Sequence, residues 1–111
     1  MSTRVLAVVD DMFFASKIRA VAEAVGVEIS FPRTKESLIE KARQADLIIV
    51  DLHNQKLDPL SLPGELGAVR LLGFFSHVEV ELQRRALAAG YDLVVPRSAF
   101  ARDLAQILTS Q

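Results

Sequence analysis

Short apolar segments alternate with amphipathic segments along the whole chain, and this alternation limits the possible folds more than any other feature of the sequence. Several of the apolar segments are almost continuously apolar, which is typical of strands in a parallel sheet whose two faces are both covered by helices. We predict five strands, at residues 4–9, 27–30, 47–50, 69–75 and 91–95.

Helical patterns fill most of the intervals between these strands. The predicted helices lie at residues 12–26, 34–45, 78–90 and 98–110. Two of them should end at glycines, Gly26 and Gly90, which are common helix stops. Thr34 and Ser98 have side chains suited to capping a helix start, so we expect helices to begin at these residues.

The interval 52–68 is different, because its two prolines and two glycines leave room for only a short helix, at about 61–67. The pattern is therefore five βα units with one shortened helix. Right-handed crossovers then predict an α/β fold, a doubly wound five-stranded parallel sheet in the order 2-1-3-4-5, which is the flavodoxin-like topology.

The composition narrows the possible functions. The 111 residues suit a single domain, 1–111, and the 13 Lys and Arg residues are scattered in a chain of net charge −1. Nucleic acid is therefore not an expected partner, because phosphate binding needs a basic patch. The apolar runs are far shorter than the roughly 20 residues that span a bilayer, and no signal peptide is recognisable, so we expect a cytoplasmic protein without membrane contact.

Acidic side chains follow two neighbouring strands of the predicted sheet. Asp10 and Asp11 come directly after the first strand, Asp51 ends the third, and Ser76 follows the fourth. Ligands of such sheets bind at the carboxyl ends of the strands, where the strand order reverses, so these residues should meet at one rim. Oxygen ligands favour a hard ion, Mg²⁺ before Ca²⁺, and a carboxylate beside such an ion can accept a phosphoryl group.

Alternatives to a magnesium site stay open for these residues. The pair Asp10 and Asp11 could instead cap the following helix, or persist as a structural remnant. If the acids are not neutralised, at least one of them should have a raised pKa. His53 and His77 near the rim raise the alternative of a transition-metal site, although no ligand spacing supports it.

Met12 and Phe13 follow the acid pair and precede the apolar stripe of the first helix. A hydrophobic staple against the neighbouring loop is one interpretation. A docking surface, or a lid over the acid pocket, is the other.

Five segments of the chain resemble the receiver domains of two-component response regulators, the CheY-like family. They are "VVDD" at 8–11, "IIVD" at 48–51, "FFSH" at 74–77, "ALAAGYD" at 86–92 and "VVPRSAF" at 94–100. The resemblance covers essentially the whole chain, as five βα units in the order found in this family.

The resemblance implies roles for the residues of the rim. Asp51 would accept a phosphoryl group. This autocatalytic transfer is the most catalysis that the resemblance implies, so the chain is not expected to be a classical enzyme. Mg²⁺ would be held by Asp10, Asp11, Asp51 and the backbone carbonyl of His53. The hydroxyl of Ser76 would contact a phosphoryl oxygen.

The sequence also departs from this family. The lysine that the family has before the proline of the fifth strand is replaced by Val95, and the nearest cation is Arg97, one residue beyond Pro96. The aromatic residue of that strand is displaced as well, because Asp92 stands in its usual place and Tyr91 precedes it. By analogy with the family, the Val95–Pro96 peptide bond would be cis.

We therefore expect a stand-alone receiver-like signalling module that acts through protein partners, such as a histidine kinase and a downstream effector, as a monomer or weak homodimer. The contact face would lie within 78–108, with the candidate contacts Arg84, Arg85, Arg97, Phe100 and Arg102. Two alternatives remain. One is a phosphorylation-independent pseudo-receiver that binds proteins, and the other is a flavodoxin-like domain that binds a small organic ligand near Met12 and Phe13.

Overall fold

The five predicted strands all form in the computed structural model, which describes residues 3–76 and 79–111. They pair in parallel in the order β2-β1-β3-β4-β5, so the predicted doubly wound sheet is confirmed. The strands are β1 (Arg4–Val8), β2 (Glu28–Ser30), β3 (Leu47–Asp51), β4 (Arg70–Phe75) and β5 (Leu93–Pro96).

Helices cover both faces of this sheet. They are α1 (Met12–Val25), α2 (Lys35–Ala42), α3 (Leu62–Leu66), α4 (Val80–Ala89), α5 (Arg97–Arg102) and α6 (Leu104–Thr109). The predicted caps at Thr34 and Gly26 are confirmed: the Thr34 side chain accepts a hydrogen bond from the backbone of Ser37, and Gly26 has a φ of 76°. Within the described residues, none of the helices is long and apolar enough to cross a bilayer.

The end of the chain differs from the prediction in two ways. The helix begins at Arg97 and not after Ser98, with Pro96 in the capping position at φ −64° and ψ 149°. Proline fixes its own φ and lacks an N–H, so it can stand directly before the first turn without leaving a donor unpaired. The predicted single helix is also interrupted at Asp103, whose φ of −101° departs from helical geometry.

Peptide bonds between described residues are all trans, including Val95–Pro96. The cis bond suggested by the family resemblance is therefore wrong. The trans form is the usual state of X–Pro bonds in folded proteins.

Two apolar layers lie on opposite faces of the sheet, and successive residues along a strand contribute side chains to one layer and then to the other. In β3, Leu47 and Ile49 face one layer while Ile48 and Val50 face the other. The layer beneath α1, α5 and α6 contains Phe100, which is completely buried. The prediction that Phe100 contacts a partner is wrong, because its ring fills the core.

The loop between β3 and α3 is tied to the start of β5. Its two short 3₁₀ turns span Gln55–Leu57 and Pro59–Ser61. The hydroxyl of Tyr91 donates a 2.7 Å hydrogen bond to the carbonyl of Pro59, and burial raises the pKa of Tyr91 above its ordinary value. The proline-rich loop after β3 is thus anchored to the segment that leads into β5.

We expect Gly73→Ala to destabilise the protein, because a Cβ on Gly73 in β4 would lie 2.9 Å from Cδ2 of the buried Leu52. Overpacking of this kind costs about 1–3 kcal/mol, which denaturant unfolding would measure. Gly64→Ala is the matched control, because a Cβ there meets nothing within 4 Å and alanine favours the helix. Equal stabilities of the two variants would contradict the close packing of Leu52 on β4.

Candidate functional site

The parallel register brings the predicted site residues to one rim of the sheet. Val8 of β1 pairs with Val50 of β3, and Asp51 pairs with Phe74 of β4. Neighbouring strands lie about 4.8 Å apart, so Asp51 stands beside the turn that follows β1. That turn carries Asp10 and Asp11, as the sequence predicted.

Asp11 caps the first helix. Its Oδ1 accepts hydrogen bonds from the backbone N–H groups of Phe13, at 2.9 Å, and Phe14, at 3.1 Å. Two of the amides that a helix start leaves without an internal partner are thereby satisfied. For this member of the pair the helix-cap interpretation is therefore confirmed.

The second oxygen of the same carboxylate is bound by an arginine from the other end of the chain. Nη2 of Arg97 lies 2.8 Å from Oδ2 of Asp11, and the two side chains are 34% and 40% exposed. The hydrogen bond from Arg97 is the main cause that lowers the pKa of Asp11, followed by the hydrogen bond from the N–H of Phe14. The raised pKa was expected only for acids that are not neutralised, and Asp11 does not meet that condition, because Arg97 supplies a cation.

Arg97 is also held by an aromatic ring. Its guanidinium carbon lies 4.1 Å from the ring centroid of Phe14. That ring packs edge-on against Phe74, at 5.3 Å, and Phe100, at 5.7 Å, whose own rings are stacked at 5.0 Å. A planar guanidinium suits such a position, since it can stack on a ring while its edge binds a carboxylate.

The other two acids of the rim have different surroundings. Asp10 has a 61% exposed side chain, and its Oδ2 lies 4.0 Å from Nζ of Lys56 in the loop after β3. Asp51 is half-buried, and its Oδ1 accepts a 2.9 Å hydrogen bond from the backbone N–H of His53. No sequence pattern indicated a role for Lys56, because its position depends on the fold of an irregular loop.

The predicted magnesium ligands are not gathered into a group of three side chains in this conformation. Among residues 3–76 and 79–111, no three His, Asp or Glu side chains are grouped so that they could hold one. Both oxygens of Asp11 already accept hydrogen bonds, and Oδ1 of Asp51 accepts one from the N–H of His53. Ser76 is exposed and lies directly after β4. His77, which was considered as a transition-metal ligand, falls outside the described residues. Magnesium binding accordingly stays a prediction.

Met12 and Phe13 are strongly exposed, at 79% and 91%. The hydrophobic-staple interpretation is wrong, because neither side chain packs against the neighbouring loop. The core stripe of α1 begins one residue later at Phe14, which is buried. Two large apolar side chains therefore project from the first turn of α1, next to the acid rim.

Two contacts that the sequence did not indicate lie at the opposite edge of the sheet, where β4 and β5 begin. Besides Tyr91, the side chain of Asp92 accepts a 2.8 Å hydrogen bond from the backbone N–H of Leu71. A carboxylate thus joins the start of β5 to the start of β4, at the position where the family normally has an aromatic ring. The unusual pair Tyr91–Asp92 was visible in the sequence, but its structural role was not.

Several solved structures that match this fold are described as response regulators or their receiver domains. A signal receiver domain from Bermanella marisrubri matches 99% of this chain and 98% of its own, with a TM-score of 0.83 and 19% identity. A response regulator from Hahella chejuensis matches 97% of this chain and 93% of its own, with a TM-score of 0.82 and 22% identity. The chain therefore has the CheY-like receiver fold.

A third structure of this fold contains bound groups. It is a response regulator from Burkholderia pseudomallei with a phosphorylated aspartic acid, a calcium ion and citrate, and it matches 98% of this chain and 68% of its own. The TM-score is 0.79 and the identity 21%. No model of a protein family matches the sequence, and no curated protein matches it.

We expect Asp11→Asn to lower the melting temperature at neutral pH, because asparagine keeps a capping oxygen but loses the charge that binds Arg97. A lowered pKa in the folded state means that the carboxylate stabilises the protein above the ordinary value of 3.8. That stabilisation is lost as the pH falls through the lowered pKa, so the difference between variant and wild type should shrink in acid. Thermal unfolding across this pH range measures it.

Asp10→Asn is the matched control, since the Asp10 carboxylate is more exposed and lies 4.0 Å from its cation. It should change the melting temperature less than Asp11→Asn does. A higher melting temperature for Asp11→Asn would contradict the helix cap and ion pair at Asp11, because it would indicate unrelieved repulsion between the acids.

Proposed function

We propose that this chain is a receiver-like signalling module that acts through protein partners and does so without phosphorylation, as a pseudo-receiver. The observation that carries the proposal is the 2.8 Å ion pair between Arg97 and Asp11. It occupies the side chain that a receiver would use for its metal ion, and it joins the two ends of the chain at the rim.

Exposed apolar surface beside the rim supports a function through partner proteins. Met12 and Phe13 are among the most exposed large hydrophobic side chains of the described residues. Exposed apolar side chains grouped together are a common feature of protein-binding surfaces. Because these two residues directly follow Asp11, a partner bound there would also contact the Asp11–Arg97 pair.

Phosphoacceptor activity at Asp51 is the second candidate, and the position of this residue favours it. Its carboxylate is half-buried at the end of β3, between the strands that carry the acid pair and Ser76. The family resemblance would assign Mg²⁺ to Asp10, Asp11, Asp51 and the carbonyl of His53. A histidine kinase would then be the phosphoryl donor, and a downstream effector would bind the phosphorylated form.

Phosphorylation at Asp51 places a requirement on the resting structure. Arg97 would first have to move away from Oδ2 of Asp11, because a guanidinium and a divalent metal ion at the same carboxylate oxygen repel each other. The Burkholderia pseudomallei structure, with its phosphorylated aspartic acid and calcium ion, is a relative in fold only and shares 21% of its residues. The ion pair therefore favours the pseudo-receiver over the phosphoacceptor.

Incubation with acetyl phosphate and Mg²⁺, followed by intact-mass measurement, distinguishes the two candidates. We expect no added phosphoryl group on the wild-type protein, with an active receiver domain as a control for the reagent. Beryllofluoride, which mimics a bound phosphoryl group, should likewise leave the amide NMR spectrum unchanged. An added phosphoryl mass that disappears in Asp51→Asn would contradict the pseudo-receiver and establish Asp51 as the acceptor.

A further inference from the structure

We propose that Arg97 takes the electrostatic place of the metal ion, so that Arg97 and a divalent cation compete for Oδ2 of Asp11 and the resting protein excludes Mg²⁺ from its acid rim. This competition rests on the receiver-like function proposed for the rim and deepens it. One residue of this chain would thereby control divalent-cation binding.

Charge balance at the rim supports this role for Arg97. Asp51 is the last residue of β3, and Asp10 and Asp11 lie in the turn after the adjacent strand β1. Convergent carboxylates repel one another unless a cation or a proton intervenes. Here Arg97 from α5 and Lys56 from the loop after β3 supply positive charge to two of the three.

The charge of Arg97 opposes the binding of a second cation by the carboxylate of Asp11. Oδ1 of Asp11 accepts two backbone hydrogen bonds and Oδ2 accepts one from Arg97. Mg²⁺ binds its oxygen ligands at about 2.0–2.1 Å in near-ideal octahedral geometry. A guanidinium 2.8 Å from the same oxygen would lie against that ion and repel it. The two cations are therefore alternatives at this oxygen.

Arg97 is held in place by more than its ion pair. The guanidinium stacks at 4.1 Å on Phe14, whose ring is fixed by Phe74 and Phe100 in the buried aromatic cluster. Arg97 is also the first residue of α5, directly after Pro96. Displacing it would break both the stack and the ion pair. A lysine has no planar group to stack in this way and would be held less firmly.

A titration with Mg²⁺ alone, without any phosphoryl donor, tests the proposal. The wild-type protein is compared with Arg97→Gln, which removes the charge but keeps polar N–H groups. The control is Arg102→Gln, because Arg102 lies on the same helix and pairs only with its neighbour Asp103 in the described contacts. The readouts are the melting temperature and the amide NMR shifts of Phe13 and Phe14, which report directly on Asp11.

We expect the wild type and Arg102→Gln to show no change in melting temperature or in these amide shifts at millimolar Mg²⁺. Arg97→Gln should bind Mg²⁺ about tenfold more tightly or better, since the competing charged hydrogen bond is gone. Its melting temperature should then rise with Mg²⁺ concentration. Arg97→Lys should give an intermediate response.

Two results would overturn the proposal. One is a shift of the Phe13 and Phe14 amides of the wild type on addition of Mg²⁺, a measurement that needs no variant to fold. The other is an Arg97→Gln variant that folds and responds to Mg²⁺ no more than Arg102→Gln does. Neither result depends on acetyl phosphate, so failure of this proposal is distinguishable from failure of the pseudo-receiver function.

Discussion

The parallel pairing of β1 with β3 places negative charge from separate parts of the chain at one rim, and the protein has to balance that charge. The register that joins Val8 to Val50 leaves Asp51 beside the turn with Asp10 and Asp11. Arg97 supplies positive charge to this rim by donating a hydrogen bond to one carboxylate oxygen of Asp11. The other oxygen accepts the backbone hydrogen bonds that cap the start of α1. The helix cap, the ion pair and the aromatic cluster under Phe14 thus form one connected unit.

Most of the fold could be predicted because its signals are local in the sequence. Continuous apolarity indicated the strands, glycine ended α1, and the prolines after Asp51 indicated a short α3. The strand order followed from general rules of handedness, and the common rim of Asp10, Asp11 and Asp51 followed from the strand order. These rules depend on the pattern of apolar and polar residues and not on the identity of each residue. Receiver structures with the same fold accordingly share only 19–22% of their residues with this chain.

The details of the site could not be predicted because they depend on contacts between distant residues. Asp11 and Arg97 are 86 positions apart, and only the folded chain shows that an arginine placed after Pro96 reaches the first turn of α1. The adjacent residues Phe13 and Phe14 have opposite environments, one exposed and one buried, since a helix turns 100° between them. The position of Lys56 depends on the course of an irregular loop.

Arg97 and Asp11 stabilise each other, and a double-mutant cycle measures this coupling directly. The free energies of unfolding of the wild type, Asp11→Asn, Arg97→Met and the double variant give the coupling between the two side chains. We predict a favourable coupling outside experimental error at low ionic strength, which weakens as salt is added. A coupling of zero would contradict this claim, since Arg97 would then contribute nothing to holding the acid rim.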